Sequence, residues 1–334
     1  MAKSIYIDKN GKHLFEVPYS GYPISDGMSL IGTLGANARY GYVDVKGNII
    51  VQPEYETAGS FSEGLAYVAK KIAGSRKYGY IDHSGKLVID FRFSVATTFH
   101  EGLAACRIDG KWGFINKKGK IQIAPKFAFK ETPMFSEGLS KYKESERWGF
   151  INKSGRFQIK PKYFEANPFS EGMAAVAIKN EGQQQYGTGG SKWGFINKRG
   201  KWVIPPKYQY VGYFKEGLAI IWENSTPVSA IDIKGKPVID FSKFQPMRSD
   251  RTSFSEGLVA IKKDDKWGFI DKSGEMVIEP IYERVIPPSF SEGFCNLKHN
   301  NKTCFIDRTG KIVLETDAFT ASDFSEGIAV LNYL

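Results

Sequence analysis

Cysteine, histidine and long apolar runs are scarce in this sequence, and each scarcity removes a class of function. Cys106, Cys295 and Cys304 are odd in number and widely spaced. They form neither a disulfide framework nor a CxxC metal pair, so reduced, partly buried thiols are expected. His13, His83, His100 and His299 stand far apart, without metal-ligand spacing and without a nucleophile motif beside them. Turn or surface positions suit them, and no metal, cofactor or catalytic residue is expected. Residues 1–15 hold no apolar run that would serve as a signal-peptide core, and no later window reaches membrane-spanning length. A cytoplasmic chain without membrane association is the expectation.

Charge of one sign is in mild excess: 46 Lys and Arg against 36 Asp and Glu give a formal net charge of +10. That balance favours acidic partners. The cations are interspersed with carboxylates along the whole chain, the pattern of solvated turns, so nucleic-acid binding stands as an alternative resting on charge alone. A length of 334 residues exceeds what one hydrophobic core usually organises. A modular repeat accounts for it.

Two signatures alternate along residues 1–334, nine times each. The first is a turn, Asp/Asn-x-x-Gly, opening at Asp8, Asp44, Asp82, Asn116, Asn152, Asn197, Asp232, Asp271 and Asp307. Asp or Asn caps such a turn through its own side chain, and the glycine takes the positive φ that ends it. The second is aromatic-Ser-Glu-Gly followed by an apolar run, as at Phe61, Phe135, Phe169, Phe254, Phe290 and Phe324. His100 and Lys215 replace the serine in two copies, and Asp26 shortens the acid in another. The glycines of this motif recur every 34 to 45 residues. One strand follows Ser-Glu-Gly, a second reads Lys-Trp-Gly-Phe-Ile, and a third follows the Asx turn and often ends at Pro-x-aromatic. A fourth short strand fits before the next Phe, completing a small antiparallel meander.

The strand after Ser-Glu-Gly separates two ways of stacking these units. Its first residue is large and apolar in every copy (Met28, Leu65, Leu103, Leu139, Met173, Leu218, Leu258, Phe294, Ile328), and the next is mostly small. Both faces read as buried, as in a propeller blade flanked by neighbours rather than a solenoid strand with one wet face. The sequence opens on a second strand near Ser4 and closes on a first strand near Ile328, and pairing them removes two exposed edges. The prediction is all-β: a closed β-propeller of nine small antiparallel blades, the last split between the termini. An open β-repeat array is the alternative.

Arg147-Trp148-Gly149-Phe150-Ile151-Asn152-Lys153-Ser154-Gly155, with Phe-Ser-Glu-Gly-Leu nearby, resembles the bacterial WG (KWG) repeat family. Trp112-Gly113, Trp193-Gly194 and Trp267-Gly268 keep the dipeptide, and Tyr40-Gly41 and Tyr78-Gly79 vary it. Ser4-Ile5, Val228-Ser229 and Thr303-Cys304 depart from it. Aromatic and glycine are lost together, which suggests a packing pair in which Gly clears room for a ring. The resemblance implies β repeats with a binding or scaffolding role, often joined to other domains, and supplies no catalytic residues.

The repeated carboxylates from Glu63 to Glu326 suggest a cation-binding ring. Yet their turns emerge beside the Lys-rich Asx turns, so backbone hydrogen bonding near lysine is the better reading. The Asx turns lack the further acids of a calcium loop. Gly187 to Lys192 resembles a phosphate loop only in composition, since a strand follows it instead of a helix. The one marked break in regularity is the insertion at 179–191. In it Tyr186 supplies an aromatic anchor and Gln183, Gln184 and Gln185 supply adaptable hydrogen bonding, making these four the candidate partner-binding residues. The function expected is a non-catalytic, monomeric binding scaffold for a protein or another macromolecule. A propeller lectin or enzyme acting on a saccharide or other small molecule is the rival.

Overall fold

The structure is a computed structural model; the residues it describes are 2–127, 131–179, 190–224, 226–244, 252–283 and 289–333. Among them every regular element is a β-strand, and the strands form nine separate antiparallel sheets, seven of four strands and two of three. These are the nine blades of a β-propeller, numbered here from the one that begins at Ser20. Blade 3 shows the plan: Val95–Ala96, Leu103–Ile108, Lys111–Asn116 and Ile121–Phe127, hydrogen-bonded in that order. The fourth strand expected from sequence is the short one at the edge of the sheet, Val95–Ala96.

Contacts gather the chain into two compact units: Met1–Met134 with Thr316–Leu334, and Phe135–Glu315. The first unit contains the blade made from both chain ends. Lys3–Asp8 pairs along its whole length with Ile328–Tyr333, from Lys3 opposite Tyr333 to Asp8 opposite Ile328. Tyr6, Ile7, Val330 and Ala329 are buried in that seam. The split blade predicted from the sequence is present.

Within each unit the core lies between successive blades. One cluster joins Ala175, Trp193 and Phe195 of blade 5 to Val211, Phe214 and Ile221 of blade 6. Another joins Leu65, Tyr80 and Phe93 of blade 2 to Phe99, Ala104 and Cys106 of blade 3. The strand after Ser-Glu-Gly is therefore covered on both faces, as its pattern required; all five residues of Met28–Gly32 are buried. Cys106, Cys295 and Cys304 are buried, unbridged thiols rather than partly buried ones. Burial pushes the Cys106 thiol up to about 12, so it behaves as a small hydrophobe.

The glycine of Trp-Gly has a different purpose from the one its sequence suggests. A Cβ on Gly113 would stand 2.7 Å from the Ile123 carbonyl oxygen and 2.9 Å from Pro125 N, and one on Gly149 would stand 2.5 Å from the Ile159 oxygen. The space is occupied by the backbone of the third strand, not by the aromatic ring. The ladder shifts register there, between the Trp112–Phe127 and Phe114–Ile123 pairs, where the backbone of the third strand bulges over the glycine. All six blades with this glycine have a seven-residue third strand, such as Ile121–Phe127, Phe157–Tyr163 and Met276–Tyr282. The three without it have third strands of four or five: His13–Val17, Pro237–Asp240 and Ile312–Thr316. Trp and Gly vanish together because Trp pairs across the ladder with the aromatic beyond the same bulge, as in Trp148 with Tyr163.

Candidate functional site

Each blade has two edges of different character. One edge carries the Asx-x-x-Gly turn and the Ser-Glu-Gly turn, since Leu103 and Asn116, for instance, sit opposite each other at the end of the same ladder. The other edge carries the connection between the same two strands at its far end, together with the link to the next blade.

On the first edge, the Asx turns close as read from sequence. Asn116 Oδ1 accepts from Lys118 N at 3.0 Å and Lys120 N at 3.1 Å, while Gly119 N donates to the Asn116 carbonyl. The Ser-Glu-Gly turns are two-residue hairpin bends in which both central residues have positive φ, 56° at Glu63 and 90° at Gly64. Such a turn favours Asn, Asp or Gly at its first position, and glutamate there is strained. The strain is offset by what the side chain reaches. Both Glu63 oxygens accept from Gly102 N in the next blade's turn, at 3.2 and 3.0 Å, and Lys117 Nζ stands 3.2 Å from Oε2. Glu137 treats Gly172 and Lys198 in the same way, and Glu216 treats Gly257 and Lys272. Burial raises the Glu216 pKa, but the ammonium of Lys272 and the amides of Gly257 and Glu256 outweigh it and hold the carboxyl below its usual range.

The serine adds a second tie: Ser62 Oγ donates to the Phe99 carbonyl and Ser255 Oγ to that of Phe290, 2.8 and 2.7 Å away. The first unit substitutes a shorter acid and a histidine at one clamp. Asp26 accepts from Gly64 N, and His83, whose Nε2 lies 2.7 Å from the Asp26 carbonyl oxygen, stacks on Phe61. The carboxylates therefore pair with lysine or histidine and with amides, as expected, instead of converging on a cation. Among the described residues no three His, Cys, Asp or Glu side chains gather in a metal-binding arrangement.

The second edge is regular in most blades. Two-residue bends with both φ values positive join the strands at Ala73-Gly74, Asp109-Gly110, Ser145-Glu146, Asp264-Asp265 and Asn300-Asn301. Blade 1 departs from this, and blade 2 carries its bend on a longer hairpin. In blade 1, residues 33–39 replace the bend, tied by Thr33 N to the Arg39 carbonyl and by Arg39 N to Thr33 Oγ1. In blade 2, Ala66–Ile72 and Ser75–Ile81 prolong the ladder outward through Lys71 opposite Arg76 to Ile72 opposite Ser75. Between them opens a cleft of about 430 Å³ lined by residues 36–39, Glu56, Lys71, Gly74 and Arg76. Arg76 Nε donates to Glu56 Oε2 at 3.3 Å. That hydrogen bond is the main cause holding the guanidinium pKa above its ordinary value.

Gln183, Gln184, Gln185 and Tyr186 lie outside the described residues, while the strands that bracket them, Met173–Lys179 and Ser191–Asn197, pair to their ends at this same kind of edge. The cleft of blades 1 and 2 was not anticipated from sequence, although a signal was there. From the turn glycine to the aromatic of the next strand is 13 residues for Gly27 to Tyr40 and 14 for Gly64 to Tyr78, against 10 for Gly102 to Trp112 and Gly138 to Trp148.

These edges and blades define a β-propeller whose repeated polar residues hold neighbouring blades together. Seven stretches, 40–71, 78–112, 112–146, 148–181, 193–224, 230–267 and 267–302, match the model of the WG containing repeat, and the chain belongs to that repeat family. In fold it is similar to a crystal structure of the eukaryotic initiation factor, at 11% identity over 98% of both chains with a TM-score of 0.61. It also aligns with apo AztD from Citrobacter koseri, at 12% identity over 99% of this chain and 98% of that one, TM-score 0.41. The first likeness bears on fold alone. No curated protein matches the chain in sequence. Among the described residues no helix is long and apolar enough to cross a membrane.

Proposed function

We propose that this chain is a non-catalytic binding scaffold that engages a macromolecular partner, most readily a protein, through the loop-bearing edge of its blades. The supporting observation is the division of labour between the two edges. On the turn edge, the repeated Ser, Glu and Lys side chains are engaged from blade to blade, as at Ser62, Glu63 and Lys117. On the other edge, residues 33–39 replace the two-residue bend, and the sequence carries its insertion at 179–191 between two strands that pair there. A selective partner must use features that break the repeat, because equivalent turns offer equivalent surfaces.

The test is affinity for a partner recovered on the immobilised chain. Replacing 179–191 by a bend copied from Ile108 to Lys111, or 33–39 by the same bend, should leave the thermal transition in place and weaken binding. Undiminished affinity in both variants would place recognition elsewhere.

A further inference from the structure

The cleft between blades 1 and 2 holds three cations, Arg39, Lys71 and Arg76, against one carboxylate, Glu56. Glu56 is paired with Arg76 at 3.3 Å, which leaves Arg39 and Lys71 as the cations of the cleft that it does not offset. Neither Lys71 nor Arg39 has a carboxylate within ion-pair distance among the described residues, whereas Lys70 beside them pairs with Glu54 at 3.0 Å. Lys71 also stands directly opposite Arg76 across the ladder. Like charges facing each other across a strand pair are destabilising, and the hairpin of blade 2, longer than that of blade 3, carries that cost. A bound anion relieves it.

The walls narrow the class of anion. Ala36, Ala38 and Gly74 make the lining small, so an extended chain can lie between the cations. No aromatic side chain is among the lining residues to stack a nucleobase. Guanidinium groups match carboxylates in two-point geometry.

We infer that this cleft binds an acidic segment, rich in Asp and Glu, of a protein partner. The inference rests on the scaffold reading and names the chemistry of one of its contacts. Its test is fluorescence anisotropy of a labelled Glu-rich synthetic peptide against the full chain, with inorganic phosphate and ATP as competitors. Wild-type binding should weaken as ionic strength rises from about 0.1 M to about 1 M, where the screening length falls from about 10 Å to about 3 Å. The R39A/K71A variant should bind about tenfold more weakly, a change of about 1.4 kcal/mol, with an unchanged thermal transition. Removing two cations from the third strand of blade 4, K160A/K162A, should alter affinity less than twofold.

Equal losses in the two double variants would overturn the inference in favour of diffuse attraction to a basic surface. Absence of peptide binding, or a nucleotide binding in the cleft where the peptide does not, would overturn it as well. A native partner that binds R39A/K71A at full strength but fails on the loop-replaced chains would leave the scaffold standing and remove only the acidic segment.

Discussion

At the scale of single residues, the glycines divide into two kinds that sequence alone does not distinguish. Gly113 is fixed by the approach of another strand's backbone, whereas Gly110 has φ of +76° and open space where a Cβ would go. Gly113→Ala should lower stability by about 3 kcal/mol, since backbone overpacking has no rotamer to relieve it. Gly110→Ala should cost about 1 kcal/mol, the left-handed penalty alone. Urea midpoints check both, and equal losses would mean that the bulge moves aside freely. The Asx turns make a second residue-scale prediction. Hydrogen bonds from Ser84, Lys236, Ser273 and Thr309, the first two Oγ and backbone donors and the others hydroxyls, lead the effects that hold Asp82, Asp232, Asp271 and Asp307 below the usual aspartate range. A depressed folded pKa stabilises fully above the unfolded value of about 3.9 and is lost as pH falls through the folded one. Changing these four to Asn, which blades 3 to 5 already use, keeps the turn acceptor but gives up the ionised-state contribution, so the melting temperature at pH 7 should fall slightly. The change should also make its decline below about pH 4 shallower; a decline as steep as wild type would assign acid sensitivity elsewhere.

At the scale of elements, the clamp couples one blade's turn to the next. Glu63→Ala leaves Gly102 N without its acceptor and should cost about 1–2 kcal/mol, while Glu63→Gln keeps an acceptor and should cost less. Thermal unfolding of both variants checks this, and identical losses would mean that charge pairing with Lys117 carries the whole effect. The strand order, the hairpin turns and the two-faced burial were legible because they depend on local rules: period, turn residues and side-chain size. The bulge over Gly113 was hidden because it depends on a contact between strands. The long connection at 33–39 is hard to read for a different reason, since its extra length is small and is masked by a prolonged hairpin in the next blade.

At the scale of the whole molecule, the terminal strand is the partner of Lys3–Asp8 along its full length. Deleting 328–334 should therefore raise hydrogen exchange through all four blades of the unit that contains both chain ends; loosening confined to residues 3–17 would show that the seam is local. Of the candidate sites, the sequence offered Gln183 to Tyr186 at a break in the repeat, which fall outside the described residues, and the cleft at Arg39, Lys71 and Arg76 emerges only when two blades are seen side by side. The proposed function requires a division between a structural turn edge and a recognising loop edge. It is tested most directly by hydrogen exchange of the full chain with and without a bound partner. Protection should appear in the loop-edge segments 33–39, 70–77 or 180–189, with exchange at the Asx turns unchanged. Protection concentrated at the turns opening with Asp44, Asp82, Asn116 and their equivalents, with the loop edge unaffected, would contradict it.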